Sequence, residues 1–232
     1  MHFDEWEPVY EAILEDFGYD RGGDERARDV LASLTDEFDL DRLSNVRDAT
    51  VAIAGAGPSL GDESSLEQAR DAAFVFAAST AADTLAEHGI NVDCMVTDLD
   101  KNPETVRQLT HRGVPVAVHA HGDNVPAVRT VVPDCAADSV LATTQSPPRG
   151  SVRNFGGFTD GDRAAFLADH LGAAQLVFVG WDFDDPAVGP VKAQKLTWAE
   201  RLLYWLESRR EERFELLDGR REAIETRALP LG

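Results

Sequence analysis

The chain has 232 residues, 43% of them hydrophobic, with 42 acidic against 22 basic side chains and a formal net charge of -20. That length suits one well-filled α/β core and excludes several large domains. The acidic charge is spread along the whole chain, which argues against a nucleic-acid partner. No run approaches the roughly 18 apolar residues of a membrane helix, and the start Met1-His2-Phe3-Asp4-Glu5-Trp6 lacks the order of a signal peptide. Cys94 and Cys135 form neither a disulfide framework nor a metal pattern, and Cys94 sits in an apolar run as a buried thiol would, so a cytoplasmic protein is expected.

From Phe3 to about Leu43 the pattern is helical. Trp6, Val9, Tyr10, Ile13, Leu14 and Phe17 have the spacing of an amphipathic helix, and a second helix is predicted over Glu25 to Phe38. The break at Gly18 to Gly23 reads as their connection, so residues 1–48 are expected to form a helical extension in front of an α/β catalytic domain over 49–232. Six short runs then alternate with helix-length segments: Thr50 to Ala54, Ala73 to Ala78, Cys94 to Val96, Val114 to His119, Val140 to Thr143 and Leu176 to Gly180. Continuous apolar runs in this arrangement predict an α/β fold: an open, mostly parallel, Rossmann-like sheet with helices on both faces. Ser146 to Ser151 is Pro/Gly-rich and predicts a mobile loop, and a long helix is predicted past Val191.

Ligands of open α/β sheets sit beyond the carboxyl ends of the strands, so the polar residues that follow each run are the candidates. The first run ends in Gly55-Ala56-Gly57-Pro58-Ser59-Leu60, where backbone N–H groups and Ser59 can approach phosphate; a purely structural turn is the alternative. The third ends in Thr97-Asp98-Leu99-Asp100, whose spacing brings two carboxylates together. Such a pair repels unless a cation neutralises it, which makes Asp98 and Asp100 the candidate magnesium ligands; capping of the next helix is the alternative. The fourth ends in His119-Ala120-His121-Gly122-Asp123-Asn124, in which Asp123 is a candidate for the metal set or for positioning substrate. The two histidines lack a third ligand for zinc, so His121 is read as a substrate contact. Asn154-Phe155-Gly156-Gly157-Phe158-Thr159-Asp160 follows, with an aromatic pair for stacking and Thr159 or Asp160 as a helix cap in the bland reading. The last run leads into Gly180-Trp181-Asp182-Phe183, and then come Lys192 and Lys195, suited to phosphate charge.

In chain order, Gly55 to Leu60, Val96 to Asp100, His119 to Asn124, Asn154 to Arg163 and Gly180 to Phe183 resemble the archaeal 6-hydroxymethyl-7,8-dihydropterin diphosphokinase family, the MptE-like proteins, over about Val51 to Trp198. The resemblance implies ATP and the dihydropterin alcohol as substrates, AMP and the pterin diphosphate as products, Mg2+ as cofactor, and a place in folate or tetrahydromethanopterin synthesis. On that reading Mg2+ sits on Asp98 and Asp100, and Asp123, ahead of Asp160, takes the alcohol proton. Gly55, Gly57, Pro58 and Ser59 hold phosphates, helped by Lys192, Lys195 and Arg153. Phe155 or Phe158 stacks on the pterin, Asn124 or Asp182 reaches its edge, and His121, Asn154, Gly156, Gly157, Thr159 and Asp160 complete the substrate side. Asp98, Asp100 and Thr159-Asp160 are also similar to thiamine diphosphokinases. The same fold admits a nucleotide-sugar glycosyltransferase or a nucleotide-binding regulatory module, and a homo-oligomer is left open. Lysine occurs only at Lys101, Lys192 and Lys195, a bias similar to that of proteins from salt-loving archaea, and all three flank the proposed site.

Overall fold

In the computed structural model, which describes residues 1–231, the first helix, α1 (Phe3–Phe17), turns the apolar stripe Trp6, Val9, Tyr10, Ile13 and Leu14 into the core. Gly18 ends it in the left-handed conformation, with the Tyr19 N–H donating back to the Leu14 carbonyl at 2.9 Å. Asp20 caps α2 (Arg21–Ala32) through the Gly22 N–H. This helix starts and ends earlier than the periodicity predicts, because Asp20 nucleates it and the hydroxyls of Ser33 and Thr35 bond back to its last carbonyls.

The remaining elements alternate strictly: β1 (Thr50–Ala54), α3 (Glu63–Asp71), β2 (Phe74–Ala78), α4 (Ala81–Glu87), β3 (Cys94–Thr97), α5 (Pro103–His111), β4 (Val116–Ala120), α6 (Val125–Val131), β5 (Val140–Thr144), α7 (Asp160–His170), β6 (Gln175–Val179) and α8 (Pro190–Arg210). The six strands form one Rossmann-like open sheet in the order β5-β4-β3-β2-β1-β6, and every pairing is parallel. The chain steps outward from β1 to β5, and α7 then crosses back over β1, β2 and β3 to lay β6 beside β1.

Strand side chains alternate between two buried layers, which is why each strand reads as one apolar run. Val51, Ile53, Phe76, Cys94, Val96 and Leu141 pack under α1, α7 and α8, with Trp6, Trp198 and Trp205 filling that layer. Ala52, Ala54, Val75, Met95, Val118 and Ala142 pack under α2 to α6. The two N-terminal helices are thus split between the faces: α1 belongs to the first layer and α2, through Ala27 and Leu31, to the second. The Ser146 to Ser151 segment is tied down rather than mobile. Ser146 is fully buried, Thr143 bridges to Arg153, and Arg149 exchanges backbone hydrogen bonds with Val152. Among the described residues no helix is long and apolar enough to cross a membrane.

The backbone comes close where the chain leaves β1 and β6, at Gly55 and Gly180. At φ +70°, a Cβ on Gly180 would lie 2.5 Å from the Gly55 carbonyl oxygen and 2.6 Å from Leu60 Cβ. Gly180→Ala should therefore cost about 3 kcal/mol and lower the thermal midpoint by roughly 10 °C. An unchanged midpoint in a calorimetric scan would remove the steric argument.

Candidate active site

A cavity of about 700 Å³ opens at the carboxyl ends of β3, β4 and β5. The turn after β3 forms its floor with Asp98 and Asp100, and the turn after β4 adds His121 and Asp123. The start of α7 supplies Phe158 to Asp160, the start of α8 supplies Val191, Lys192 and Lys195, and the turn between α1 and α2 closes the remaining wall.

The acidic pair is held by a strained turn. Leu99, between the two aspartates, has φ +70° while its side chain is buried. A branched residue in that region costs on the order of 1 kcal/mol, and the turn persists because its groups are fastened. The Leu99 N–H donates to Thr97 Oγ1 at 3.0 Å, the Asp100 N–H to Asp98 Oδ1 at 3.2 Å, and Asn124 Nδ2 to the Asp98 carbonyl at 2.9 Å. Burial pushes Asp98 upward, but the hydrogen bonds of His121 and Asp100 and the Arg163 charge outweigh it and hold Asp98 well below the usual carboxylate range. Asp100 moves the other way, raised by burial and then by its hydrogen bond to Asp98 and the Asp98 charge. Asp160, at the first position of α7, is raised to about 7 by burial and then by Asp98.

A buried polar chain positions this floor. Arg163 donates to Asp160 Oδ1 at 3.0 Å and to Gln145 Oε1 at 3.2 Å. Gln145 Nε2 in turn donates to Asp24 at 2.7 Å. Asp24, buried in α2, also accepts from the Tyr10 hydroxyl at 2.8 Å and from the Gly122 N–H at 2.7 Å. Gly23 lies so close to Gly122 that a Cβ would stand 3.2 Å from its Cα, which explains the glycine at this position in the first turn of the helix. On the opposite wall, Asp16 of α1 accepts from Trp198 Nε1 at 2.6 Å and from Gln194 Nε2 at 3.2 Å, so α1 is fastened to α8.

All three lysines of the chain line this cavity. Among the described residues none of them makes an ion pair, although arginines elsewhere pair freely. They stand close enough to sense one another. Burial, and then the Lys101 and Lys195 charges, lower the Lys192 ammonium.

The sequence model described as 6-hydroxymethylpterin diphosphokinase MptE-like matches residues 28–187. A protein of Methanothermobacter thermautotrophicus named 6-hydroxymethyl-7,8-dihydropterin pyrophosphokinase is 39% identical, with 93% of this chain and 99% of that protein covered. A Pyrococcus furiosus protein of the same name is 37% identical, with 90% of this chain and 95% of its own length covered. The chain belongs to the MptE-like family.

Of the residues the sequence proposes for an MptE-like site, Asp98, Asp100, His121, Asp123, Phe158, Thr159, Asp160, Lys192 and Lys195 meet in the cavity. Gly55, Gly57, Pro58 and Ser59 do not line it. Asp182, which is also outside, accepts from the Ser59 N–H at 2.9 Å and the Ser59 hydroxyl at 2.8 Å, and Trp181 Nε1 donates to the Ile53 carbonyl. The anion held by that glycine turn is the protein's own. Asn124 is buried as a brace of the β3 and β4 turns, with Nδ2 also on the His119 carbonyl and Oδ1 accepting from the His121 N–H. Asn154 and Phe155 line a separate hollow beside His170, Gly156 lines a small void near His119, and Gly157 packs on Arg163. Thr159 caps α7 as the bland reading had it, its hydroxyl donating to Asp162 at 2.6 Å, while its side still faces the cavity. His119 is buried and stays neutral, its Nδ1 on the Thr143 hydroxyl.

Tyr19, Asp20, Asp24 and Arg26 from the N-terminal segment, together with Gln145 and Arg163, are among the cavity residues the sequence reading misses. Gly22-Gly23 at a helix start was the available signal, since glycine there implies close approach of another chain segment.

The Asp160 environment has a measurable consequence for stability. Its folded carboxyl binds a proton more tightly than the unfolded chain does, since burial lifts it from 3.8 to about 7. The stability it allows is complete below the lower value and is lost as pH rises through the window. Asp160→Asn should melt roughly 5 °C above the wild type at about pH 8 and show no gain near about pH 4. A gain independent of pH would contradict this account.

Proposed function

We propose that the protein transfers diphosphate from ATP to 6-hydroxymethyl-7,8-dihydropterin, releasing AMP and the pterin diphosphate that folate- or methanopterin-type cofactors require. The observation that carries this reading is the convergence of the only three lysines, none of them in an ion pair among the described residues, on a cavity floored by Asp98, Asp100 and Asp160. Ammonium groups without an ion pair among the described residues, facing half-buried and exposed carboxylates, suit a ligand bearing several negative charges together with a cation. The volume suits a nucleotide beside a small bicyclic ring. The names of the relatives support both the group transferred and its acceptor.

Among the described residues no three His, Cys, Asp or Glu side chains cluster as a ready-made metal site. Asp98 and Asp100 nevertheless fit Mg2+, which takes one or two carboxylates and completes its shell with phosphate oxygens and water. The raising of Asp100 by Asp98 is the repulsion a divalent cation relieves. Bound there, Mg2+ would supply neutralisation of phosphate charge. The chain's own groups do the rest. Lys101, Lys192 and Lys195 hold the triphosphate, and the hydroxymethyl oxygen attacks the β-phosphorus as the bond from that phosphorus to the α-bridging oxygen breaks and AMP leaves. The hydroxyl proton passes to Asp160, whose raised pKa suits a base near neutrality; Asp123, with its side chain almost wholly exposed, lacks that environment.

The test is AMP release from ATP and magnesium at high salt, with the dihydropterin, thiamine or no acceptor. Pterin-dependent AMP is expected, with Asp98→Asn and Asp100→Asn each lowering kcat/KM by more than about 100-fold. Lys192→Ala should act mainly on the KM for ATP, by about tenfold. Thiamine-dependent AMP would reassign the acceptor, and folded protein that binds ATP without releasing AMP would overturn the reading in favour of sugar transfer or regulation.

A further inference from the structure

Three large apolar side chains are well exposed among the described residues: Leu34, Tyr19 and Val191. Two of them stand on the cavity wall of a chain whose surface is otherwise dominated by charge. Val191 directly precedes Lys192 and so belongs to the phosphate-facing wall. Tyr19 stands apart, on the α1–α2 turn, and its surroundings differ.

The Tyr19 ring is supported from behind. Phe17 stacks on it with centroids 5.1 Å apart and also touches Phe158 at 5.1 Å, while Lys195 Nζ lies 5.8 Å over the far ring. The Gly18 turn and the Asp16 clasp onto α8 fix the segment that carries it. Its open face is bordered by acid rather than base: burial and then the charges of Asp123 and Asp24 raise its hydroxyl. Asp24 is already saturated by three donors. Asp123 is not. Its only partner among the described residues is His121 Nδ1 at 2.8 Å, and the other ring nitrogen of His121 lies 3.3 Å from Asp98.

Resting on the diphosphokinase reading, we propose that Tyr19 and Asp123 form the acceptor subsite, Tyr19 lying against the face of the pterin ring and Asp123 accepting hydrogen bonds from its N3–H and 2-amino group. A near-planar bicycle gains from a backed aromatic face. The 2-amino-4-oxo ring presents two adjacent donors, which one carboxylate accepts together. Adenine presents a single amino donor flanked by acceptor nitrogens, and a carboxylate repels those. The acidic wall therefore selects the pterin and sends the nucleotide to the lysine wall, while His121 links the ring-holding carboxylate to the reacting floor. This gives the N-terminal helices a part in substrate choice.

The test is binding without turnover. Fluorescence titration with 6-hydroxymethylpterin, and separate titration with a non-hydrolysable ATP analogue plus magnesium, would be run on wild type, Tyr19→Phe, Tyr19→Ala and Asp123→Asn. Both side chains are exposed, so the fold should survive, and thermal melts check that it does. Pterin Kd should rise about tenfold in Tyr19→Ala and Asp123→Asn and stay within about twofold in Tyr19→Phe, with nucleotide Kd within about twofold throughout. Unchanged pterin Kd in both disruptive variants, or a loss confined to the nucleotide, overturns the subsite and leaves the diphosphokinase reading standing. A wild-type protein that binds the nucleotide but no pterin overturns both.

Discussion

Three carboxylates that face one cavity, Asp98 and Asp160 half-buried and Asp100 exposed, are the constraint around which this molecule is arranged. Asp98, Asp100 and Asp160 act on one another, and the buried Arg163, with His121 and the lysines, stands against their combined charge. Burial without compensation would expel or neutralise such groups. The protein instead holds Asp98 ionised through His121, lets Asp100 and Asp160 keep protons longer, and rings the place with three ammonium groups that make no ion pair among the described residues. The left-handed Leu99 is the backbone counterpart of the same arrangement. Its strain turns both aspartates toward the cavity, and the Thr97 and Asn124 hydrogen bonds keep it there.

The N-terminal helices matter because they supply the other half of the enclosure. A parallel sheet brings strand ends to one edge but provides no roof. Asp24 fastens α2 to the turn after β4 and, through Gln145 and Arg163, to the base of Asp160. Asp16 fastens α1 to α8. The connection between the two helices is therefore fastened over the cavity at both ends, and Tyr19 at its tip is placed by two clasps together with the stacking of Phe17.

The location of the cavity follows from chain path. In this strand order β6 lies against β1, and the segment leaving β6 fills the crevice above them with Trp181 and Asp182. The glycine turn after β1 has the sequence pattern of a phosphate-binding turn, but its Ser59 donors are spent on Asp182. The open edge is left to β3, β4 and β5.

Six apolar runs determined six strands almost to the residue, because a strand buried on both faces carries its environment in its composition. The α1 stripe and the Asp98/Asp100 spacing were equally plain, and the scarcity of lysine marked three positions that do meet. Local pattern could not tell which strand ends share a cavity, since Ser59 and Asp182 are 123 residues apart and each looks like a ligand donor alone. Nor could it show that Tyr19 and Asp24 face Asp123 across the fold. Periodicity records which side of an element is buried; only the packed chain decides which buried or facing groups satisfy one another, and those left unsatisfied are the site.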